Sequence, residues 1–192
     1  MSTPKFAAQN TWWKATSITR PSITKITIVD SYTPSGTITE SWNASTDEDG
    51  SLMCYVAGTE LIIAGNGSGE IYTNEDAAMM FSVNRNVPTE GFINITSIDG
   101  FTLLNTSLTT TVFSMFNGCK KLVTIDLSSF NAESITNLSG MFNTCTSLTS
   151  LDFSNFNTLN NTYLDYFCSN CSSLKTIIFP PSFVTNKVKS FQ

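Results

Sequence analysis

The stretch Cys145-Thr-Ser-Leu148-Thr-Ser-Leu151-Asp152-Phe153-Ser-Asn-Phe156 decides the fold, because it occurs again on either side of itself. Upstream, Cys119-Lys-Lys-Leu122-Val-Thr-Ile125-Asp126-Leu127-Ser-Ser-Phe130 superposes on it at a period of 26, and downstream Cys171-Ser-Ser-Leu174-Lys-Thr-Ile177-Ile178-Phe179 does the same. Cys, Leu and the aliphatic three places later stay in step. A fixed period of about 20 to 50 residues signals stacked supersecondary units. Ile95-Thr-Ser-Ile98-Asp99-Gly-Phe101 fits the same frame with a one-residue insertion, and its Asp99 falls in register with Asp126 and Asp152. Four short strands follow from these copies.

A second element recurs after each strand unit as Met115-Phe116, Met141-Phe142 and Tyr166-Phe167, with Thr109/Val112 and Ile135/Leu138 leading into the first two. Spacing of three and four suits a helical turn. Ala77-Ala78-Met79-Met80-Phe81, preceded by the helix-start signal Asn74-Glu-Asp76, reads as an earlier copy separated from Ile95 by an inserted loop. The expected fold class is therefore an α/β leucine-rich-repeat solenoid of about four short turns, preceded by a small β-rich N-terminal domain. One turn cannot bury its own apolar face, so stacking supplies the missing surface.

Outward from the repeats, the N-terminal half alternates short strand patterns with turns: Ile18 to Val29, Thr37 to Ala44, Leu52 to Val56, Leu61 to Ala64 and Glu70 to Tyr72. Asp47-Glu-Asp-Gly50 and Gly65-Asn-Gly-Ser-Gly69 read as hairpin loops, since Gly, Asn and Asp tolerate left-handed backbone. The expected division is an N-terminal arm at 1–14, a β-rich capping domain at 15–73, the solenoid at 74–179 and a C-terminal cap or tail at 180–192. Trp12, Trp13 and Trp42 are expected to pack where the capping domain closes the array. At the other end the Asp slot becomes Ile178, Pro180-Pro181 stops strand pairing, and Phe183, Val184, Val188 and Phe191 are placed to fold back as a cap. If they do not, a partner must cover that end.

The unit from Met141 to Phe156 resembles the BspA-like leucine-rich repeats of bacterial surface proteins, which run approximately as Met-Phe-x-x-Cys-x-x-Leu-x-x-Leu-Asp-Leu-Ser-x-Phe. Ser41-Trp42 through Tyr72 is similar to the segment that often precedes such arrays. The resemblance implies a non-enzymatic adhesion or interaction role without fixing a ligand.

The totals exclude several classes. Hydrophobic residues make up 41% and charged residues 13%, with a net charge of −5 and no basic cluster, so nucleic-acid binding is not expected. No apolar run reaches the roughly 20 residues of a membrane-spanning helix. Met1 to Trp13 has neither the basic start nor the apolar core of a secretion signal. An extracellular-facing location, on a virion or a bacterial cell, is expected without a signal peptide in this chain. With no His there is no Ser-His or Cys-His nucleophile pair, and the glycines of 65–69 lack the Lys of a phosphate loop.

Cys119, Cys145 and Cys171 share one slot of successive units and read as an inward row of buried thiols; no metal or cofactor is expected. Five cysteines is an odd number, so one thiol at least stays unpaired. Cys168 adds a Cys-x-x-Cys with Cys171, away from any strand-to-helix redox turn. Asp47-Glu-Asp49-Gly-Ser51 lacks the distal Glu of a calcium loop and reads as an acidic turn. Asp126 and Asp152, on adjacent strands about 5 Å apart, have the spacing of a retaining glycosidase pair. An open strand face would keep both ionised, which argues against that chemistry.

The residues flanking the inward aliphatics define a concave partner-binding face: Asp99, Thr124, Asp126 and Ser128, then Ser150, Asp152 and Ser154. Its hydroxyls and carboxylates suit a polar protein, a glycan or a calcium ion. The leading expectation is a non-enzymatic surface-display or attachment module. The alternative is a structural component of a phage particle bound to other virion proteins, with Trp12, Trp13 and Ile178 as assembly anchors and homo-oligomerisation left open. A glycan-active enzyme is the third reading.

Overall fold

A computed structural model of the chain describes residues 2–8, 11–83, 90–156, 163–181 and 183. In the N-terminal half, β-branched residues at alternate positions build a sheet. Strand β1, Lys25–Val29, buries Ile26 and Ile28 and leaves its other residues half-buried, the period-two pattern of a pleated strand. It pairs parallel with β4, Glu60–Ala64, from Lys25 opposite Glu60 to Val29 opposite Ala64. On its other side β1 pairs parallel with β6, Ser97–Asp99. Strand β2, Glu40–Asn43, runs antiparallel to β3, Met53–Ala57, which runs antiparallel to β4. The order of this five-stranded mixed sheet is β2-β3-β4-β1-β6. Two small parallel pairs complete the strands: β5, Ile71–Tyr72, with β7, Leu104–Asn105, and β8, Ser150–Asp152, with β9, Thr176–Ile178.

The expected strands at 37–44, 52–56, 61–64 and 70–72 overlap β2 to β5, whereas Ile18 to Val29 is strand only from Lys25 and holds a 3-10 turn at Arg20–Ser22; Asp47–Gly50 does connect the antiparallel pair β2 and β3. Gly65–Gly69 is not a hairpin loop, because β4 takes its antiparallel partner on the other side, through the tight turn at Gly58 and Thr59. The glycine run instead wraps Asp30: the amides of Gly67 and Gly69 donate to its carbonyl at 2.9 Å and its Oδ1 at 2.7 Å. A Cβ on Gly65 would stand 2.8 Å from the Asp30 carbonyl oxygen, which explains glycine there.

The expected α/β leucine-rich-repeat solenoid is not what the chain forms. Among the described residues there is no α-helix, only 3-10 turns at Arg20–Ser22 and Phe101–Leu103, and the strands form the mixed sheet and two pairs just given. The recurring strands do not share one ladder either: β6 is taken by β1, and residues 122–127 form no strand.

The hydrogen bonding of the Met-Phe elements shows why they are not helical. Every second amide is bonded locally, Met115 to Val112 at 3.0 Å, Asn117 to Ser114 at 3.1 Å and Cys119 to Phe116 at 3.1 Å. The amides between them leave the segment and donate to the next unit: Val112 to Asn137 at 3.0 Å, Ser114 to Ser139 at 2.9 Å, Phe116 to Met141 at 2.8 Å and Gly118 to Asn143 at 2.8 Å. The pattern repeats one unit earlier, from Ala77, Met79, Phe81 and Val83, and one unit later, from Leu138, Gly140, Phe142 and Thr144. An α-helix uses all these amides within itself. Diverting half of them requires left-handed backbone at one residue per turn, and φ is 55° at Ser114, 64° at Gly140 and 53° at Tyr166, all in the same slot. A second such slot holds Gly118, Thr144 and Asn170 at 80°, 63° and 59°.

Phenylalanines fill the interior of these turns in two stacks. Phe81, Phe116 and Phe142 lie face to face with centroids 5.5 and 5.3 Å apart, and Phe101, Phe130 and Phe156 at 6.3 and 5.0 Å. The first stack continues into the N-terminal segment, where Trp12 meets Phe81 edge-on and stacks on Phe92 at 6.1 Å. The Trp42 indole nitrogen donates to the Trp12 carbonyl at 2.6 Å. One buried cluster thus runs from Phe6 to Leu164 across the position between residues 73 and 74. Glu40 on β2 fixes the approach to β1, accepting from the amides of Thr16, Ser17 and Ile18 at 2.5, 3.1 and 3.2 Å and from two hydroxyls.

Phe183 packs on Phe179 with centroids 4.6 Å apart, at the end where a folded-back cap is expected. Val184, Val188 and Phe191 lie outside the described residues.

Candidate functional site

Asp126 and Asp152 occupy equivalent positions, and the local chain treats both alike. Each follows an inward aliphatic and precedes a turn, and each Oδ1 accepts the amide two residues on, Ser128 at 2.9 Å and Ser154 at 2.8 Å. The Ser128 hydroxyl and amide hold Asp126 below the ordinary carboxylate range, and the Ser154 amide and hydroxyl do so for Asp152. Both side chains are exposed, as are Thr124, Ser128, Ser150 and Ser154. The Asn155 side-chain amide donates to the Ser128 carbonyl at 3.2 Å, tying the two turns together. The result is an outward row of fixed anions and hydroxyls. It is not a concave solenoid face, since there is no solenoid. Nor is there a strand ladder behind Asp126 to set a glycosidase spacing, and neither carboxyl is raised toward an acid's range as that chemistry needs.

Asp99 stands apart from this row. Its strand is bonded to β1, so its carboxylate meets Lys25 Nζ at 3.0 Å, and Lys25 also reaches Glu60 at 3.3 Å. Hydrogen bonds to Asp99 and then Glu60 raise the Lys25 pKa.

The proposed anchors divide. Trp12 is 1% exposed, enclosed by Phe6, Phe81 and Phe92, and offers no surface for an assembly contact. Trp13 is half-buried against Trp42 at 5.0 Å, with the Arg20 guanidinium 5.6 Å above its ring. Ile178 on β9 is 46% exposed and Phe179 beside it 45%. Phe179, but not Ile178, lines an apolar hollow of about 320 Å³ together with Phe153, Phe156, Phe167, Ile177 and Phe183 among others.

The thiol row is a bonded one. Cys119, Cys145 and Cys171 donate Sγ–H to the carbonyls of Phe81, Phe116 and Phe142 at 3.1, 3.1 and 3.0 Å, each reaching back to the preceding unit. Burial raises all three, Cys171 to about 11, so they stay protonated donors. Among the described residues no group of three or more His, Cys, Asp and Glu could hold a metal ion. Asp49 of the acidic turn is occupied by Ser2, by the Ser45 hydroxyl at 3.0 Å and by the Ser51 amide at 2.9 Å. These contacts place its pKa far below the usual range. No helix of the described residues is long and apolar enough to cross a membrane.

One surface was invisible to the reading of strand positions. Phe113, Asn137, Tyr163, Asp165 and Tyr166 line a groove of about 350 Å³ over the left-handed turns. Its signal in the sequence is the row Thr111, Asn137, Tyr163, one residue per unit, which parallel bridges join.

A mixed β-sheet continued by hydrogen-bonded stacked turns, with its polar row on the outside, is thus the class of protein these residues define. Residues 77–192 match the family described as Mycoplasma protein of unknown function, DUF285, and the chain belongs to that family. It is a different family from the one the unit Met141 to Phe156 resembles. No curated protein and no solved structure matches the chain.

Proposed function

We propose that the chain is a non-enzymatic attachment module on an extracellular-facing surface, presenting the row Thr124, Asp126, Ser128, Ser150, Asp152, Ser154 to a protein or glycan partner. The observation that carries this reading is that Asp126 and Asp152 are exposed yet immobilised, each held as an anion by a serine two residues on. Preorganised polar groups bind with less entropy to lose, whereas a proton donor would need a raised pKa. The likeness of Met141 to Phe156 to repeats of bacterial surface proteins supports the same role. Binding of the full chain to a glycan array and to bacterial cells should weaken at least tenfold in the double variant Asp126→Ala, Asp152→Ala. Asp126→Asn keeps the turn acceptor and removes only charge, so it separates recognition from loop folding. Undiminished binding by the double variant would defeat this choice of face.

A second reading, a structural component of a phage particle, is favoured by the exposure of Ile178 and Phe179, the latter lining an apolar hollow. Such surfaces mark assembly contacts. Trp12 cannot serve that assembly without uncovering Phe81 and Phe92. Sedimentation of the chain should then show self-association that Ile178→Ser abolishes; a monomer at all concentrations would remove self-assembly from this reading.

A further inference from the structure

Between neighbouring units, alternate amides of one unit are received by carbonyls of the next. From the unit Leu138 to Cys145, the amides of Leu138, Phe142 and Thr144 cross to Tyr163, Phe167 and Ser169 at 3.0, 2.8 and 2.8 Å. The equivalent positions one period of 26 further on are Leu164, Cys168 and Asn170. Their unit keeps its local bonds, from the Phe167 amide to Leu164 at 3.3 Å and from the Ser169 amide to Tyr166 at 3.2 Å. Among the described residues, however, the amides of Leu164, Cys168 and Asn170 meet no acceptor. Leu164 is 4% exposed, and backbone donors in residues so buried are nearly always paired.

Apolar surface opens at the same end. Phe116 and Phe142 hold one slot of their units, and in the last unit that slot falls to Cys168. Where the ring gives way to a thiol lies the hollow of about 320 Å³, lined by Leu164 and Cys168 together with Phe153, Phe156, Phe167 and Phe179. Leu164 and Cys168 thus contribute both an unpaired donor and a wall of the hollow.

We infer that this end docks an extended segment of another polypeptide, which adds as one further turn. Its carbonyls accept from Leu164, Cys168 and Asn170, and its large apolar side chains enter the hollow. Main-chain bonds for affinity with side-chain pockets for specificity is how peptides add to an exposed sheet edge. A folded second copy of this chain does not offer the acceptors. Every second carbonyl from Thr111 to Asn117, from Asn137 to Asn143 and from Tyr163 to Ser169 is already taken by the preceding unit. The first unit is closed by Trp12 against Phe81. The occupant is therefore a segment whose carbonyls are not committed to a fold of its own. Asp126 and Asp152 take no part in this site, so it and the polar row can fail separately.

Amide exchange followed by NMR on the full chain tests the donors without any substitution. In the free chain, Cys168 and Asn170 should exchange at least about tenfold faster than their equivalents Phe142 and Thr144. A synthetic peptide with the sequence of residues 134–148, which supplies the carbonyl spacing and the Met-Phe pair of a unit, should slow them about tenfold when added in excess. The same peptide carrying Met141→Asp and Phe142→Asp should leave them fast. In calorimetric titration, Phe179→Asp, on the rim at 45% exposure, should weaken the peptide tenfold or more. Phe179→Leu should retain binding, with both thermal midpoints close to that of the unsubstituted chain. Equal protection of Cys168 and Phe142 in the free chain, no binding of the peptide, or equal binding of its aspartate form would overturn the assignment.

Discussion

In the five-stranded sheet, β1 sits between β4 and β6 with residues paired one to one over five and three positions, and its side chains alternate between buried and half-buried. In the turns Val112 to Cys119 and Leu138 to Cys145, by contrast, amides alternate instead: one closes a turn, the next crosses to the neighbouring unit. Both regions satisfy buried backbone groups, as they must, and both bury large apolar side chains. They differ in where the information lies. A strand advertises itself by local period two, whereas the turns depend on a neighbour 25 or 26 residues away and on single residues that accept a left-handed backbone. Local periodicity of three and four is compatible with a helix or with such a turn, and the neighbouring unit decides.

The largest effect that would test this comparison is at Phe116, buried in the middle of the Phe81, Phe116, Phe142 stack. Phe116→Ala should cost about 3–5 kcal/mol in urea unfolding. Because the stack joins Trp12 and Phe92, sheet and turns should still lose structure in one transition; two separated transitions would show two cores where the contacts form one. A smaller effect belongs to the thiol row. Cys145→Ala removes the donor to the Phe116 carbonyl and a buried sulfur, and should cost about 1–2 kcal/mol by the same measurement. No loss would reduce the row to packing.

The smallest effect belongs to Glu40, on the sheet side. The Thr16 amide first, and then the hydroxyls and amide of Thr16 and Ser17, bring its pKa from 4.5 to about 2. A lowered carboxylate pKa contributes stability that is complete above the unfolded value and is lost as pH falls through the folded one. The thermal midpoint should therefore drop between pH 4.5 and 2, and Glu40→Gln should shallow that drop by a few degrees. Identical slopes in the two proteins would show that the clamp carries no linked proton.

Much of the sheet is legible in the chain, since Ile26, Ile28, Leu61 and Ile63 alternate or cluster as strands do. The 26-residue period is legible too, and so is the sharing of one slot by Cys119, Cys145 and Cys171. What the repeats form is not. Met141-Phe142 reads as helix because its two residues look inward, and nothing local says that Gly140 before them is left-handed. The recurrence of Gly140 with Ser114, and of Gly118 with Asn170, at fixed slots is the trace of that backbone, visible once the units are aligned. The glycine loop at 65–69 misleads for a related reason: its glycines serve the approach to Asp30 rather than a hairpin. On the candidate site, the exposure of Asp126 and Asp152 follows from alternation with Leu127 and Leu151, whereas the diversion of Asp99 to Lys25 needs the β1–β6 pairing, which joins residues 72 apart. Trp12 was legible as a packing residue and misleading as an anchor, because one ring cannot both close the core and face a partner.

The central claim, that the recurring turns are built on alternate amides and left-handed residues and not on helices, is tested most directly at Gly140. Its φ of 64° predicts that Gly140→Ala lowers stability by about 1–2 kcal/mol in denaturant unfolding. In a helical turn the same substitution would raise it by about 0.5–1 kcal/mol, and a gain of that sign would contradict the account.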